Sequence, residues 1–154
     1  MARVEESIEI AAPPANVFRF CHELEKRPDW DVRVTRIELL TSKPVRQGTL
    51  IRVDAGRGGE ALFSWDGEYT RFQYPTSSTV RVLDAAPSSP FKSGSETWQF
   101  SAVGSGTRLV VIWEYQPRGI LSRIGDTLGG RASIRRALRR SLANLKELIE
   151  SGRA

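Results

Sequence analysis

The 154-residue sequence is poor in residues that cross-link a chain or bind soft metal ions: it contains one cysteine, Cys21, and one histidine, His22. A single cysteine excludes a disulfide within the chain, and these two residues are too few for the usual zinc sites. No Gly-x-Gly-x-x-Gly motif opens a helix, which argues against a dinucleotide site. We therefore expect neither a metal nor a cofactor.

Long apolar segments are also lacking. The longest strictly apolar run is LVVIW, from Leu109 to Trp113, whereas a helix that spans a membrane needs about 20 apolar residues. The N-terminal stretch MARVEESIEI carries acidic residues and no long apolar stretch, so it lacks the pattern of a secretory signal. These absences predict a cytoplasmic protein with no transmembrane segment, and the length predicts a single domain over residues 1–154.

Familiar catalytic and phosphate-binding motifs are missing as well. The glycine-rich GRGGE stretch lacks the lysine and the following serine or threonine of a phosphate-binding loop. Serines are plentiful, but the one histidine lies on a different predicted element, which argues against a Ser-His-Asp triad. A surface or partly packed position is the expectation for His22.

Positive charge is concentrated towards the C-terminus. The formal net charge is +5, yet residues 117–154 contain nine basic and three acidic residues, whereas residues 1–116 contain 14 basic and 15 acidic ones. The excess of positive charge therefore belongs to one segment and not to the whole surface.

Most of the first 117 residues alternate between apolar and polar side chains, which is the pattern of half-buried strands. Between the first and second strands the period changes, predicting a short helix in residues 11–24 and a helical turn or loop in residues 25–30. Short turns join the later strands, so we predict an antiparallel sheet with one apolar face. The strands are expected at 3–10, 32–40 (with a bulge), 48–55, 61–74, 78–84, 90–102 and 107–117.

A long helix is predicted at RASIRRALRRSLANLKELIE, residues 131–150. Its apolar residues recur at helical spacing, and 20 residues give about 30 Å, enough to cross a small sheet. We predict that this stripe covers the sheet while the arginines face water. The stripe consists of Ile134, Leu138, Leu142, Leu145 and Ile149.

The alternative role for this helix is a contact between its arginines and nucleic acid or an anionic membrane. Residues 131–154 contain no aromatic residue that would stack on bases. The apolar stripe is also needed to close the sheet. No specific nucleic-acid partner is therefore expected.

Several segments together resemble the polyketide cyclase/dehydrase and lipid-transport-like proteins of the START-like, or SRPBCC, superfamily. They are ANVFRFCHELEKRPDWDVRVTRIELL, GTLIRV, EYTRFQYP and GSGTRLVVIWEYQP before the long helix. The most telling positions are Pro28 and Trp30, followed by Val34, Ile37 and Gly48. The resemblance covers essentially the whole chain and rests on spacing and element order.

This resemblance implies a helix-grip fold of the α+β class. In that fold a curved antiparallel sheet of about seven strands wraps around the C-terminal helix, with two short helices after the first strand. It also implies a cavity between sheet and helix for a hydrophobic or amphipathic molecule. The superfamily ranges from carriers to aromatase/cyclases and has no universal catalytic residues, so none is carried over.

Strand phase and the helical stripe predict which side chains face this cavity. In residues 90–102, Ser95 and Thr97 face water, so Lys92, Glu96 and Trp98 are expected to turn inward. The phase of Arg71 is ambiguous, because Phe72 breaks the alternation. The predicted ligand-binding residues are Trp65, Tyr69, Glu96, Trp98, Val111, Trp113, Tyr115, Ile134 and Leu138.

Three of these residues are catalytic candidates, namely Glu96, Tyr69 and Tyr115. A carboxylate in an apolar pocket has a raised pKa and could act as a general acid or base. Alternatively, Glu96 is solvated or paired with a nearby arginine or lysine, because burying an unpaired charge is costly. Each tyrosine hydroxyl either orients a ligand or bonds to a backbone carbonyl.

The sequence thus predicts binding of a hydrophobic or amphipathic small molecule, lipid-like or polyketide-like, and a cyclase/dehydratase acting on a polyketide-like substrate is the alternative. Binding requires only the cavity, so it is preferred. The segment ILSRIGDTLGG, residues 120–130, is either a lid or a broken first turn of the long helix. Val110 and Ile112 are apolar on the outward face, which leaves open a homodimer through that face.

Overall fold

The alternating segments form strands, and the apolar stripe near the C-terminus lies on a long helix. A computed structural model describes residues 1–119 and 129–153. One 3₁₀ helix, Leu24–Asp29, follows the first α-helix. The other elements are β1 (Ala2–Ile10), α1 (Pro14–Cys21), β2 (Val34–Leu39), β3 (Leu50–Arg57), β4 (Glu60–Gln73), β5 (Ser77–Ala85), β6 (Phe91–Val103), β7 (Gly106–Pro117) and α2 (Arg131–Glu150).

The seven strands form one antiparallel sheet in the order β1-β7-β6-β5-β4-β3-β2. The strands β2 to β7 follow one another as a meander, while β1 pairs with the last strand, β7. Consequently α1 and the 3₁₀ helix carry the chain from one edge of the sheet to the other. The curved sheet, the C-terminal helix and the two short helices confirm the predicted helix-grip fold.

The inward face of the sheet is set by the alternation that the sequence shows. In β7, Leu109, Val111 and Trp113 are each at most 7% exposed, and every second residue between them points outward. The predicted bulge at the start of β2 is present as a register shift between Val34 and Arg36 opposite β3. Period-two patterning therefore predicted the buried face of these strands correctly.

The helix α2 packs its apolar stripe against the inner face near β1. Leu138, Leu142 and Leu145 are at most 2% exposed, which confirms that this helix covers the sheet. Polar contacts fix its position further: Asn144 Nδ2 donates to the Trp30 carbonyl at 3.2 Å, and Lys146 Nζ donates to the Glu9 carbonyl at 2.6 Å.

One prediction of side-chain direction is wrong. Lys92 is exposed and Phe91 is buried instead, because a register shift between Phe91 and Ser93 moves the start of β6 out of phase. Most arginines of α2 face water as predicted, and the exposed Arg139 also pairs with Glu6, with its Nε 2.9 Å from a carboxylate oxygen. A similar register shift between Tyr69 and Arg71 exposes Arg71, whose direction the sequence left ambiguous.

Other expectations concern the outside of the fold. Within the part of the chain that the structure describes, no helix is long and apolar enough to cross a membrane. Val110 and Ile112 lie half-buried on the outer face, and their neighbours across β1 are the polar Ser7 and Glu5. A homodimer through this face stays a prediction. The predicted lid falls, apart from Gly129 and Gly130, on residues 120–128, outside the described residues.

Candidate functional site

A cavity of about 1000 Å³ lies between the inner face of the sheet and the N-terminal half of α2. Apolar and aromatic side chains from β3, β4, β5, β6 and β7 form much of its wall. The volume is at the upper end of the usual range for small-molecule sites, which is about 300–1,000 Å³. The aromatic members of the wall are Phe63, Trp65, Tyr69, Phe91, Trp98 and Trp113.

One glycine makes room for part of this wall. A Cβ atom at Gly67 would lie 2.7 Å from Trp65 Cζ3 and 2.8 Å from Val80 Cγ1. Both neighbours line the cavity. The bare backbone of β4 at this position therefore lets the Trp65 ring and Val80 approach each other over the strand.

A group of four charged residues, the buried ion network, closes one side of the cavity: Arg27, Asp31, Arg33 and Glu96. Asp31 Oδ2 accepts from Arg27 Nε at 2.7 Å and from Arg33 Nη2 at 2.9 Å. Glu96 Oε2 accepts from Arg33 Nη1 at 2.7 Å, and Glu96 Oε1 accepts from Trp98 Nε1 at 2.8 Å. Each carboxylate is thus neutralised by arginine and held by further hydrogen bonds.

Asp31 also connects this network to the long helix. The Ser141 hydroxyl lies 3.1 Å from Asp31 Oδ1 and accepts a hydrogen bond from the Val32 backbone N–H at 3.0 Å. Burial alone would raise the pKa of the Asp31 carboxyl, but the charges and hydrogen bonds of Arg33 and Arg27 outweigh burial and hold the pKa well below its usual range. Asp31 is therefore an anion at neutral pH, and its contacts with Arg27 and Ser141 join the 3₁₀ helix to α2.

A second polar group in the wall is formed by His22 and Ser78. His22 Nδ1 lies 2.6 Å from the Phe18 carbonyl oxygen, so Nδ1 carries the proton and donates. The Ser78 hydroxyl, 2.8 Å from Nε2, then donates to that nitrogen. Burial lowers the pKa of His22 to about 4, so the ring is neutral at neutral pH. A backbone carbonyl stands where a catalytic triad has a carboxylate.

The Tyr69 side chain differs from both groups. Tyr69 is 2% exposed and lines the cavity, and its hydroxyl makes no hydrogen bond to any other residue that the structure describes. Burial raises the pKa of this hydroxyl to about 12, so it stays protonated. Its O–H is therefore available to a polar atom inside the cavity.

Comparison with known proteins places this architecture in a family. Residues 1–150 match the model of the family described as polyketide cyclase / dehydrase and lipid transport. The chain belongs to this family. No curated protein matches the sequence significantly.

Solved structures with the same fold cover nearly the whole chain. TTHA0849 from Thermus thermophilus is 20% identical, with a TM-score of 0.81 and coverage of 99% of this chain and 100% of that one. A START superfamily protein from Mycobacterium smegmatis is 14% identical, with a TM-score of 0.75 and coverage of 96% and 98%. The Zhui aromatase/cyclase from Streptomyces sp. R1128 is 18% identical, with a TM-score of 0.72 and coverage of 96% and 95%. At these identities the likeness establishes the fold.

The nine predicted ligand-binding residues fall into two sets in the structure. Six of them line the cavity, namely Trp65, Tyr69, Glu96, Trp98, Trp113 and Ile134. The remaining three, Val111, Tyr115 and Leu138, are at most 3% exposed and lie in the hydrophobic core without lining the cavity. Tyr115 instead supports the wall from behind, because its ring stacks on Trp113 with centroids 5.6 Å apart.

Sequence reasoning did not single out Arg27, Asp31 and Arg33, nor the pairing of His22 with Ser78. Ser78 shares the phase of Val80 and Val82 in its strand, so its inward direction was readable from the sequence. The three charged residues surround Trp30 in EKRPDWDVRV, where an unusual density of charge beside a large apolar residue was the available signal. Their pairing with Glu96 could not be read from the sequence, since Glu96 is 63 residues from Arg33.

Proposed function

We propose that this protein binds a hydrophobic or amphipathic small molecule in the cavity between the sheet and α2. The observation that carries the proposal is the aromatic cavity of about 1000 Å³, since sites of this size with mostly apolar walls and a few polar groups are typical of small-molecule binding. Family membership and the START superfamily neighbour agree with it. We propose Trp65, Trp98, Trp113 and Ile134 as apolar contacts.

The polar contacts in this proposal are Tyr69 and the neutral His22–Ser78 pair. The Tyr69 hydroxyl would donate to a carbonyl or hydroxyl oxygen of the ligand, because it has no other hydrogen-bond partner among the described residues. Glu96 contributes by holding Arg33 and Trp98 in place, since its two oxygens are already occupied by them. This makes Glu96 a residue that shapes the wall rather than a proton donor.

A cyclase or dehydratase that acts on a polyketide-like substrate is the second candidate function. The protein titled Zhui aromatase/cyclase shares the fold, and Tyr69 and His22 place two proton-carrying groups in the cavity wall. With Glu96 held by arginine and Tyr115 outside the cavity, Tyr69 is the catalytic candidate that we retain. Turnover of a bound ligand that is lost in Tyr69→Phe would establish this second function.

Intrinsic fluorescence gives a direct test of binding. Three of the four tryptophans line the cavity, whereas Trp30 is 1% exposed and lies outside its lining. Adding 1-dodecanol should therefore shift or quench the tryptophan emission in a saturable manner, because an apolar chain replaces water around the three rings. The short alcohol 1-butanol at the same concentration is the control and should leave the emission unchanged. An identical response to both alcohols, or none to either, would contradict the proposal.

A further inference from the structure

The charged residues that line the cavity are strongly unequal in sign. Among the described residues the lining contains five arginines and two carboxylates, and no lysine. His22 adds no charge at neutral pH, because burial lowers its pKa to about 4. The lining therefore has an excess of three positive charges. The five arginines are Arg27, Arg33, Arg57, Arg136 and Arg140.

The two carboxylates of the lining already form ion pairs within the protein. Asp31 and Glu96 are both paired with Arg27 and Arg33 in the buried ion network. The other three arginines of the lining form no ion pair or hydrogen bond with any residue in the described ranges 1–119 and 129–153. We call these three, Arg57, Arg136 and Arg140, the mouth arginines.

Exposure places the mouth arginines at the opening of the cavity. Each of them is exposed and also lines the cavity, so each must lie where the cavity meets solvent. Arg57 ends β3 at the turn into β4, and Arg136 and Arg140 stand one turn apart on α2. Leu62 lines the same cavity and is 56% exposed. Arginines from two elements therefore lie where the cavity meets solvent.

Two arginines on the other face of the same helix form ion pairs within the protein. Arg135 Nε lies 3.4 Å, and Arg139 Nε 2.9 Å, from the same carboxylate oxygen of Glu6 on β1. These two arginines thus share a carboxylate of the protein. Arg136 and Arg140, each the next residue along the helix, face the cavity and have no such partner among the described residues.

We propose that the ligand of the cavity is an amphiphile with an anionic group of the carboxylate or phosphate class, which the mouth arginines bind at the opening while the apolar body lies among the aromatic walls. The inference rests on the proposed binding function and adds the charge of the ligand. Guanidinium groups bind carboxylates and phosphates through paired hydrogen bonds, and a partly enclosed site strengthens the attraction. A neutral ligand would make no charge-assisted hydrogen bond with these three arginines.

The test compares two probes of equal chain length, dodecanoate and 1-dodecanol, by tryptophan fluorescence at pH 8 and below their aggregation concentrations. The wild-type protein should bind dodecanoate about ten-fold more tightly, as expected for one charge-assisted contact. The double variant R136Q/R140Q should lose most of this preference and still bind 1-dodecanol. The matched control R135Q/R139Q removes two arginines from the same helix and should keep the preference.

The possible outcomes of these binding experiments lead to different conclusions. Equal affinity of the wild-type protein for both probes overturns the inference about the anionic group and leaves the proposed binding function intact. Absence of binding for both probes overturns the proposed binding function itself. Vesicles of phosphatidylglycerol and phosphatidylcholine distinguish a lipid surface from a single anionic ligand: if both double variants lose vesicle binding equally while the probe preference stays unchanged, the arginines serve a membrane and the inference is wrong.

Discussion

Replacing Asp31 by asparagine is expected to lower the free energy of unfolding by about 3–5 kcal/mol. Asp31 is 0% exposed and accepts hydrogen bonds from Arg27 and Arg33. Asparagine keeps the shape of the side chain but removes the charge, so two buried guanidinium groups would share the single carboxylate of Glu96. Urea denaturation of the variant and the wild-type protein measures the difference.

The matched control is Asp66→Asn. Asp66 also pairs with an arginine, with Arg52 Nε at 2.8 Å, but this pair lies on the exposed face of the sheet. Exposed ion pairs contribute about 1 kcal/mol or less, so this variant should be close to wild type. A loss in Asp31→Asn as small as that in Asp66→Asn would contradict the role assigned to the buried ion network.

The pH dependence of Asp31→Asn gives an independent check. Because the folded-state pKa of Asp31 lies well below its unfolded value, of about 3.9, its contribution to stability is present above about pH 4 and is lost as pH falls further. The wild-type protein should therefore lose stability below about pH 4 more steeply than the variant does.

The second large effect is expected from His22 and falls in a different pH range. Its folded-state pKa of about 4 lies below the ordinary value of 6.5, so between these values the unfolded chain binds more protons than the folded protein. Unfolding is therefore favoured as pH falls from about 6.5 to 4, with a total loss of about 3 kcal/mol. In His22→Gln this part of the pH dependence should disappear, as denaturation at a series of pH values would show.

Because His22 is the only histidine, its titration can also be observed without mutation. The imidazole carbon protons of the folded protein should give one set of NMR signals that titrates near pH 4. A midpoint near 6.5 would mean that the ring is solvated, and that the hydrogen bonds to the Phe18 carbonyl and the Ser78 hydroxyl do not hold it in the cavity wall.

Local patterns in the sequence were sufficient for the strands, the long helix and the direction of most side chains. In β3, for example, Ile51, Val53 and Ala55 follow a period of two and are all buried. This success has a physical cause, since one face of an antiparallel sheet must exclude water and the pattern records that requirement residue by residue. The element order was enough to identify the family fold.

Sequence patterns failed where a position depends on a partner strand. The inward phase assigned to Lys92 was wrong, because the bulge at Phe91 is set by pairing with β7.

Tyr115 and Leu138 were assigned to the cavity because they have the correct phase, but phase distinguishes only the inner from the outer face. Whether an inward residue borders the cavity or the packed core depends on where α2 lies over the sheet.

The polar part of the site was the least predictable. Glu96 was predicted to turn inward, with pairing to an arginine as one of two alternatives, and the structure pairs it with Arg33 and Arg27. The contact of Asp31 with Ser141 joins residues 110 positions apart. Such contacts arise only after the elements have packed, so no local pattern records them.

Native mass spectrometry of the purified protein, followed by extraction and identification of whatever is bound, tests whether the cavity is the functional site. We expect a co-purifying apolar or amphipathic molecule at near one-to-one stoichiometry, and an anionic group on it would agree with the charge of the opening. A protein that instead carries only nucleic acid, and releases it at high salt, would show that the arginines of α2 are the functional surface and that the cavity binds no ligand.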